Sequence, residues 1–211
     1  QEIFENCSHE LNLKVLLWRD VPTAPEKIGQ TAREIMPLIK QVFVGSRDDR
    51  PIDNIEQKLF ILRKKFENIV LTEFNDDLKD LIYVCSLSST KIVYKGLLTS
   101  EQVREFYIDL QNPDVKSSFG LVHSRFSTNT LGDWKLAHPY RFVAHNGEIN
   151  TVRGNRNWMS SREPILNSEK FGDYVNDLSP ICNQNDSDTA SFDNVFELLN
   201  LGGRELEHTM A

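Results

Sequence analysis

Arg125, Asn146 and Gly147 are the residues of this 211-residue chain whose types and settings point most directly to chemistry. Arg125 stands in His123-Ser-Arg-Phe-Ser-Thr-Asn-Thr, and Asn146-Gly147 in Phe142-Val-Ala-His-Asn-Gly-Glu-Ile-Asn-Thr. A guanidinium is a planar fork of donors that holds a carboxylate by two parallel hydrogen bonds. An Asn side-chain amide next to an unhindered Gly N–H supplies two donors suited to charge developing on a carbonyl oxygen. Carboxylate clamp and oxyanion hole together describe a site for an amino acid whose acyl group is attacked.

Two β-type runs, Phe119 to Phe126 and Arg141 to His145, deliver these groups at their C-terminal ends. Upstream, Gln1 to Leu13 reads as a helix and Leu13 to Trp18 as a strand. Ile28 to Met36 reads as a helix stopped near Pro37, and Ile39 to Val44 as a second strand. Ile55, Leu59, Leu62, Phe66 and Ile69 recur at helical spacing, with Asp53 or Asn54 as cap. Leu81 to Leu87 and Lys91 to Leu97 predict a hairpin across Ser88-Ser-Thr, and Ser100 caps a short helix toward Tyr107. Asn150 to Leu166 is mixed and partly helical, Ser168 to Cys182 reads as a polar loop, and Asp188 to Leu201 as a helix closed by Gly202-Gly203. Strands and helices mix without regular βαβ alternation, so the fold class is α+β.

At the two functional motifs the chain resembles the class II glutamine amidotransferases, and within them the amidotransferase domain of glutamate synthase large subunits. The likeness extends through Val15-Leu-Leu-Trp-Arg-Asp-Val-Pro-Thr, Gln41-Val-Phe-Val, Ile92-Val-Tyr-Lys-Gly-Leu and Asp188-Thr-Ala-Ser-Phe-Asp-Asn-Val, so residues 1–211 all fall within one such domain. The resemblance implies a four-layer αββα sandwich of antiparallel sheets, the N-terminal-nucleophile hydrolase type. It makes Arg125, with Thr128 alongside, the ligand of the glutamine α-carboxylate. Asn146 and Gly147 become the oxyanion hole, and Asp188 the acceptor of the α-ammonium. Asp186 is the rival for that last role, and Ser187 or Asp186 is the cap of the helix that follows.

The family's nucleophile is an N-terminal Cys whose α-amine serves as base, whereas this chain begins Gln1-Glu-Ile-Phe-Glu. The chain is therefore expected to be an internal portion of the domain, incomplete at both ends and inactive alone. The resemblance further implies glutamine as substrate, with ammonia passed on to aminate 2-oxoglutarate. No cofactor is expected in this chain; FMN and an iron–sulfur cluster would lie in the rest of the polypeptide. Partners would be those remaining domains and a small electron-transfer subunit or ferredoxin. A non-catalytic glutamine-binding or regulatory module is the alternative.

A net charge of −7 disfavours nucleic acid and anionic membrane as partners, since both need a positive face. No run approaches the ~18 apolar residues that span a bilayer. The cysteines at Cys7, Cys85 and Cys182 have no metal-ligand spacing and leave an odd count, which fits free thiols in a reducing, cytoplasmic setting. His123 and His145 are expected to be structural. Arg153, Arg156 and Arg162, with Trp158, form a basic stretch that the resemblance sets against the site or its interface with the synthase half.

Overall fold

The computed structural model describes residues 1–75, 81–124, 132–145 and 149–211. Arg125, Thr128, Asn146 and Gly147 lie outside the described residues, while Asp188 lies within them.

Helix α1 (Glu2–Glu10) buries Phe4, Cys7 and Ser8, whose spacing puts them on one face. Asn12, at φ 57°, turns the chain into β1, a left-handed conformation that Asn tolerates better than most residues. β1 (Leu13–Asp20) pairs antiparallel with β2 (Lys40–Ser46), from Leu13 opposite Ser46 to Asp20 opposite Lys40. The register slips between Val15 and Leu17, so Leu16 is an extra residue in β1. Helix α2 (Gln30–Glu34), between the two strands, is shorter than the Ile28–Met36 helix that the sequence predicts. Its Gly29 cap is extended and offers no side chain to hold the first turn.

Helix α3 (Ile55–Glu73) is the organising element. Leu59, Phe60, Ile61 and Leu62 are buried, and so are Arg63 and Lys64, which means the middle of the helix is surrounded on every side. The cap is Asn54 in left-handed geometry, with no side-chain hydrogen bond. Lys64 Nζ donates to the Pro180 carbonyl at 2.7 Å, and Asn68 Nδ2 to those of Asp177 and Ser179 at 2.9 and 2.6 Å. These bonds dock segment 168–182 onto α3. That segment is not the polar loop expected from its composition. It carries a 3₁₀ turn, Gly172–Leu178, and Phe171, Leu178 and Ile181 are core residues packed with Phe4, Leu13, Phe60 and Leu62.

A second cluster gathers Ile28, Leu98, Phe106, Tyr107 and Trp134 around α4 (Ser100–Phe106). Thr99, not Ser100, caps α4, in a reciprocal box with Gln102. Tyr107 OH donates to the Lys95 carbonyl at 2.7 Å, and Trp134 Nε1 to that of Ala32 at 2.9 Å. Helices α5 (Val152–Arg162), α6 (Asp188–Leu201) and α7 (Leu206–Met210) complete the order. Gly203, at φ +108°, ends the α6 region as its sequence predicts.

The chain thus mixes helices with a small antiparallel sheet, and β1–β2 is the one regular ladder among the described residues. The hairpin over 81–97 and strands at 119–124 and 141–145 are not formed there as ladders. Side chains have taken the backbone donors: Ser86 Oγ accepts from Val93 N, Glu56 from Ser89 N, and Asp193 Oδ1 from Phe142 N and Val143 N. Phe119 and Val122 stand largely exposed.

Candidate functional site

The first turns of α6 gather the site. Ser187 caps the helix, its Oγ accepting from Ala190 N at 3.1 Å. Asp188 follows at the first helical position, where the partial positive charge of a helix N-terminus favours an anion. Its Oδ2 accepts from Ile149 N at 2.7 Å and its Oδ1 from Thr189 N at 2.6 Å. Burial works against ionisation of this carboxyl, but the two N–H groups, the Thr189 hydroxyl and the charge of His145 outweigh it and hold it below the usual carboxylate range. Asp186, the rival, behaves oppositely: burial pushes it up despite the nearby Lys135 charge. Of the two acids, Asp188 is the one built to stay charged.

His145 Nε2 lies 2.7 Å from Thr189 Oγ1. The residues that flank Asn146–Glu148, His145 and Ile149, are thus both bonded to the first turn of α6. His123, from the Arg125 motif, stacks on His138 with ring centroids 4.8 Å apart, and His138 meets His145 at 5.6 Å edge to face. Both histidines expected to be structural therefore converge on a third that the sequence did not single out. Burial, followed by the charges of His123 and His145, pushes His138 down to about 4.

Deeper along α6, Asp193, Asn194 and Glu197 are buried and hold Arg141. Arg141 Nε donates to Glu197 Oε2 at 2.7 Å, and a terminal nitrogen contacts Asp193 Oδ2 at 2.8 Å as an ion pair rather than an aligned hydrogen bond. Arg63 of α3 bonds the same Glu197 oxygen. Burial alone would lower the Arg141 pKa, but Glu197 and Asp193 raise it and keep the guanidinium charged. The face of α6 thereby fixes the start of the 141–145 segment, at whose end Asn146 stands in sequence. These polar residues were missed, although Thr189, Asp193 and Glu197 recur at helical spacing within an apolar helix, which was a readable signal.

From α5, Arg156 reaches the loop before α6: Nε donates to Ser191 Oγ at 2.8 Å and the terminal nitrogens to the carbonyls of Gln184, Asp186 and Ser187. The basic stretch is thus engaged through Arg156, while Trp158 is exposed. A cavity of about 220 Å³ adjoins the same loop, lined among others by Lys95, Tyr83, Cys85, Tyr140, Asp186 and Ser187. Burial pushes the Lys95 ammonium down to about 8; it donates to the Lys135 carbonyl at 2.7 Å and lies over the Tyr140 ring.

The family model for class-II glutamine amidotransferases matches residues 1–211. The chain belongs to that family. It is 50% identical over 197 residues to the glutamate synthase [NADPH] large chain of Bacillus subtilis, covering 92% of this chain and 13% of that protein. It is 45% identical to the ferredoxin-dependent glutamate synthase of Pyropia yezoensis, over 99% of this chain and 13% of that protein. To the glutamate synthase [NADH] of Saccharomyces cerevisiae it is 46% identical, over 96% and 9% respectively. The amidotransferase chain therefore spans about an eighth of the first two of these relatives. Among its described residues no helix is long and apolar enough to cross a membrane.

Proposed function

We propose that residues 1–211 form part of the glutaminase domain of a glutamate synthase, within a four-layer αββα sandwich to which the β1–β2 pair contributes. The observation that carries this reading is the charged Asp188 carboxylate, bonded to Ile149 N and, through Thr189, to His145, the residues on either side of Asn146–Glu148. An anionic acceptor bonded to the residues that flank Asn146–Glu148 in sequence fits an α-amino acid with a reacting acyl group. In this reading Arg125 and Thr128 hold the α-carboxylate of glutamine and Asp188 its α-ammonium. A cysteine thiolate from outside this chain attacks the side-chain amide carbon, and the Asn146 amide and Gly147 N–H stabilise the resulting oxyanion. Collapse expels ammonia, the leaving nitrogen taking the proton that the Cys α-amine removed from the thiol, and leaves a thioester; water hydrolyses it to glutamate and frees the thiol again.

The ammonia would then aminate 2-oxoglutarate at a site elsewhere in the polypeptide, with electrons from a reduced nicotinamide or ferredoxin, directly or through a small subunit. FMN and an iron–sulfur cluster would serve that part. The described residues do not fit a cluster: no group of three or more His, Cys, Asp or Glu is arranged among them to hold a metal. The free cysteines Cys7, Cys85 and Cys182 suit a reducing compartment such as the cytoplasm.

The test is Arg125→Ala in the full-length protein. Glutamine-dependent synthesis should be abolished and ammonia-dependent synthesis spared. Equal loss of both activities would overturn the assignment, and a wild-type protein that binds glutamine without hydrolysing it would favour a regulatory module.

A further inference from the structure

We infer that His145 and Thr189 are positioning residues that act through Asp188, and that the substrate ammonium is received on Asp188 Oδ2. This rests on the assignment of Asp188 made above. Thr189 Oγ1 lies 3.2 Å from Asp188 Oδ1 and 2.7 Å from His145 Nε2. A hydroxyl has a single proton to give, and an ionised carboxylate can only accept. With Asp188 held ionised, the Thr189 proton goes to Oδ1, and the hydroxyl lone pair faces His145. The imidazole must then carry a proton on Nε2 and donate it to the hydroxyl oxygen.

The same accounting locates the open acceptor position. A carboxylate offers about four lone-pair directions. Oδ1 takes the Thr189 N–H at 2.6 Å and the Thr189 hydroxyl, and Oδ2 takes Ile149 N at 2.7 Å. The direction left open by the described residues is on Oδ2, and Asp188 is only partly buried, so a ligand can reach it. Losing the hydroxyl would free Oδ1 from one of its two donors and let the carboxylate rotate about its terminal torsion, which is soft. His138 packs edge to face on His145 at 5.6 Å, with His123 against its own ring at 4.8 Å, so the imidazole is braced by a neighbouring ring. His138 stays neutral at ordinary pH and does not repel its neighbours.

The experiment uses the full-length protein and four variants: Thr189→Val, which keeps shape but not the hydroxyl, Thr189→Ser, which keeps the hydroxyl, His145→Phe, and Asp188→Asn. Each is assayed with glutamine, with ammonia, and with 4-carbamoylbutanoate, which is glutamine without its α-amino group. Thr189→Val and His145→Phe should raise KM for glutamine about tenfold, equivalent to about 1.4 kcal/mol, with kcat changed far less. Thr189→Ser should restore KM, ammonia-dependent synthesis should hold, and turnover of 4-carbamoylbutanoate should match wild type. Thr189→Val lowering turnover of both amides alike would show a merely structural role and overturn the inference. If Asp188→Asn raises KM while Thr189→Val does not, the positioning role fails alone. If Asp188→Asn leaves KM for glutamine unchanged, the underlying assignment of Asp188 fails instead.

Discussion

Ile149 N donates to Asp188 Oδ2 across 2.7 Å, joining segments 39 residues apart in sequence. The bond ties the residue after Asn146–Glu148 to the N-terminus of α6, where the helix dipole favours negative charge. It also explains why the Asp188 carboxyl is held below the usual carboxylate range while that of Asp186 is pushed up. Asp188 has backbone donors on both oxygens, whereas at Asp186 desolvation outweighs the Asn183 backbone donor and the Asn194 Nδ2 amide is distant at 3.5 Å.

Asp188→Asn should therefore cost kcat/KM for glutamine about 100-fold or more, of the order expected when one partner of a desolvated charge pair is removed. Asp186→Asn should remain within about fivefold of wild type, since burial already disfavours its charge. Steady-state kinetics of both variants decide it. A larger loss from Asp186→Asn than from Asp188→Asn would reverse the assignment.

Arg141 is the keystone between the helices: Glu197 and Asp193 both face it, and Arg63 shares Glu197. Arg141→Ala would leave two buried carboxylates short of a counter-charge, and should destabilise the protein by about 3–5 kcal/mol. Arg141→Lys should not restore stability, because one ammonium cannot span the Glu197 and Asn194 acceptors that the planar fork meets. Denaturant unfolding measures both. A loss below about 1 kcal/mol for Arg141→Ala would mean that the pair contributes little beyond its desolvation cost.

The helices and the β1–β2 pair were legible because their apolar periods are clean, as at Leu59, Leu62 and Phe66 in α3. Segment 168–182 was not: Phe171, Val175 and Leu178 sit at helical spacing, but polar neighbours and Gly172 masked them. The hairpin over 81–97 failed for a different reason. Its residues favour strands, but Ser86 and Glu56 supply side-chain acceptors that no local pattern foretells. At the site, Asp188 stood out in its motif, and its carboxylate accepts two backbone N–H groups at the start of α6. His138 and Arg141 did not stand out, since each gains its role from a partner distant in sequence, and the spacing of Thr189 did not disclose its His145 partner. Arg125, Thr128, Asn146 and Gly147 lie outside the described residues and stand on the sequence.

His138 supplies a pH dependence whose sign follows from its environment. Folding holds it down to about 4, against an ordinary value near 6.5 in the unfolded chain. Between those values the unfolded state binds a proton that the folded state refuses, so stability rises with pH across the window and is lost as pH falls from about 6.5 toward 4. His138→Phe, which keeps an aromatic ring against His123 and His145, should flatten part of that slope. Thermal unfolding of wild type and variant from pH 7 to pH 4.5 measures it, and parallel curves would rule the contribution out.

Gly96 tests the second core cluster. A Cβ at Gly96 would lie 2.4 Å from Trp134 Cζ3 and 2.6 Å from Cε3. The indole cannot easily retreat: it is buried, packs on Phe106 at 5.5 Å, and its Nε1 donates to the Ala32 carbonyl. Gly96→Ala should destabilise by about 1–3 kcal/mol, as overpacking in a filled core does. Gly154 is the control, because it sits within α5 and a Cβ there meets nothing within 4 Å. Gly154→Ala should stabilise by about 0.5–1 kcal/mol through helix propensity. Paired unfolding curves compare the two substitutions. If Gly96→Ala proves no less stable than Gly154→Ala, the backbone at Gly96 does not press on the Trp134 ring.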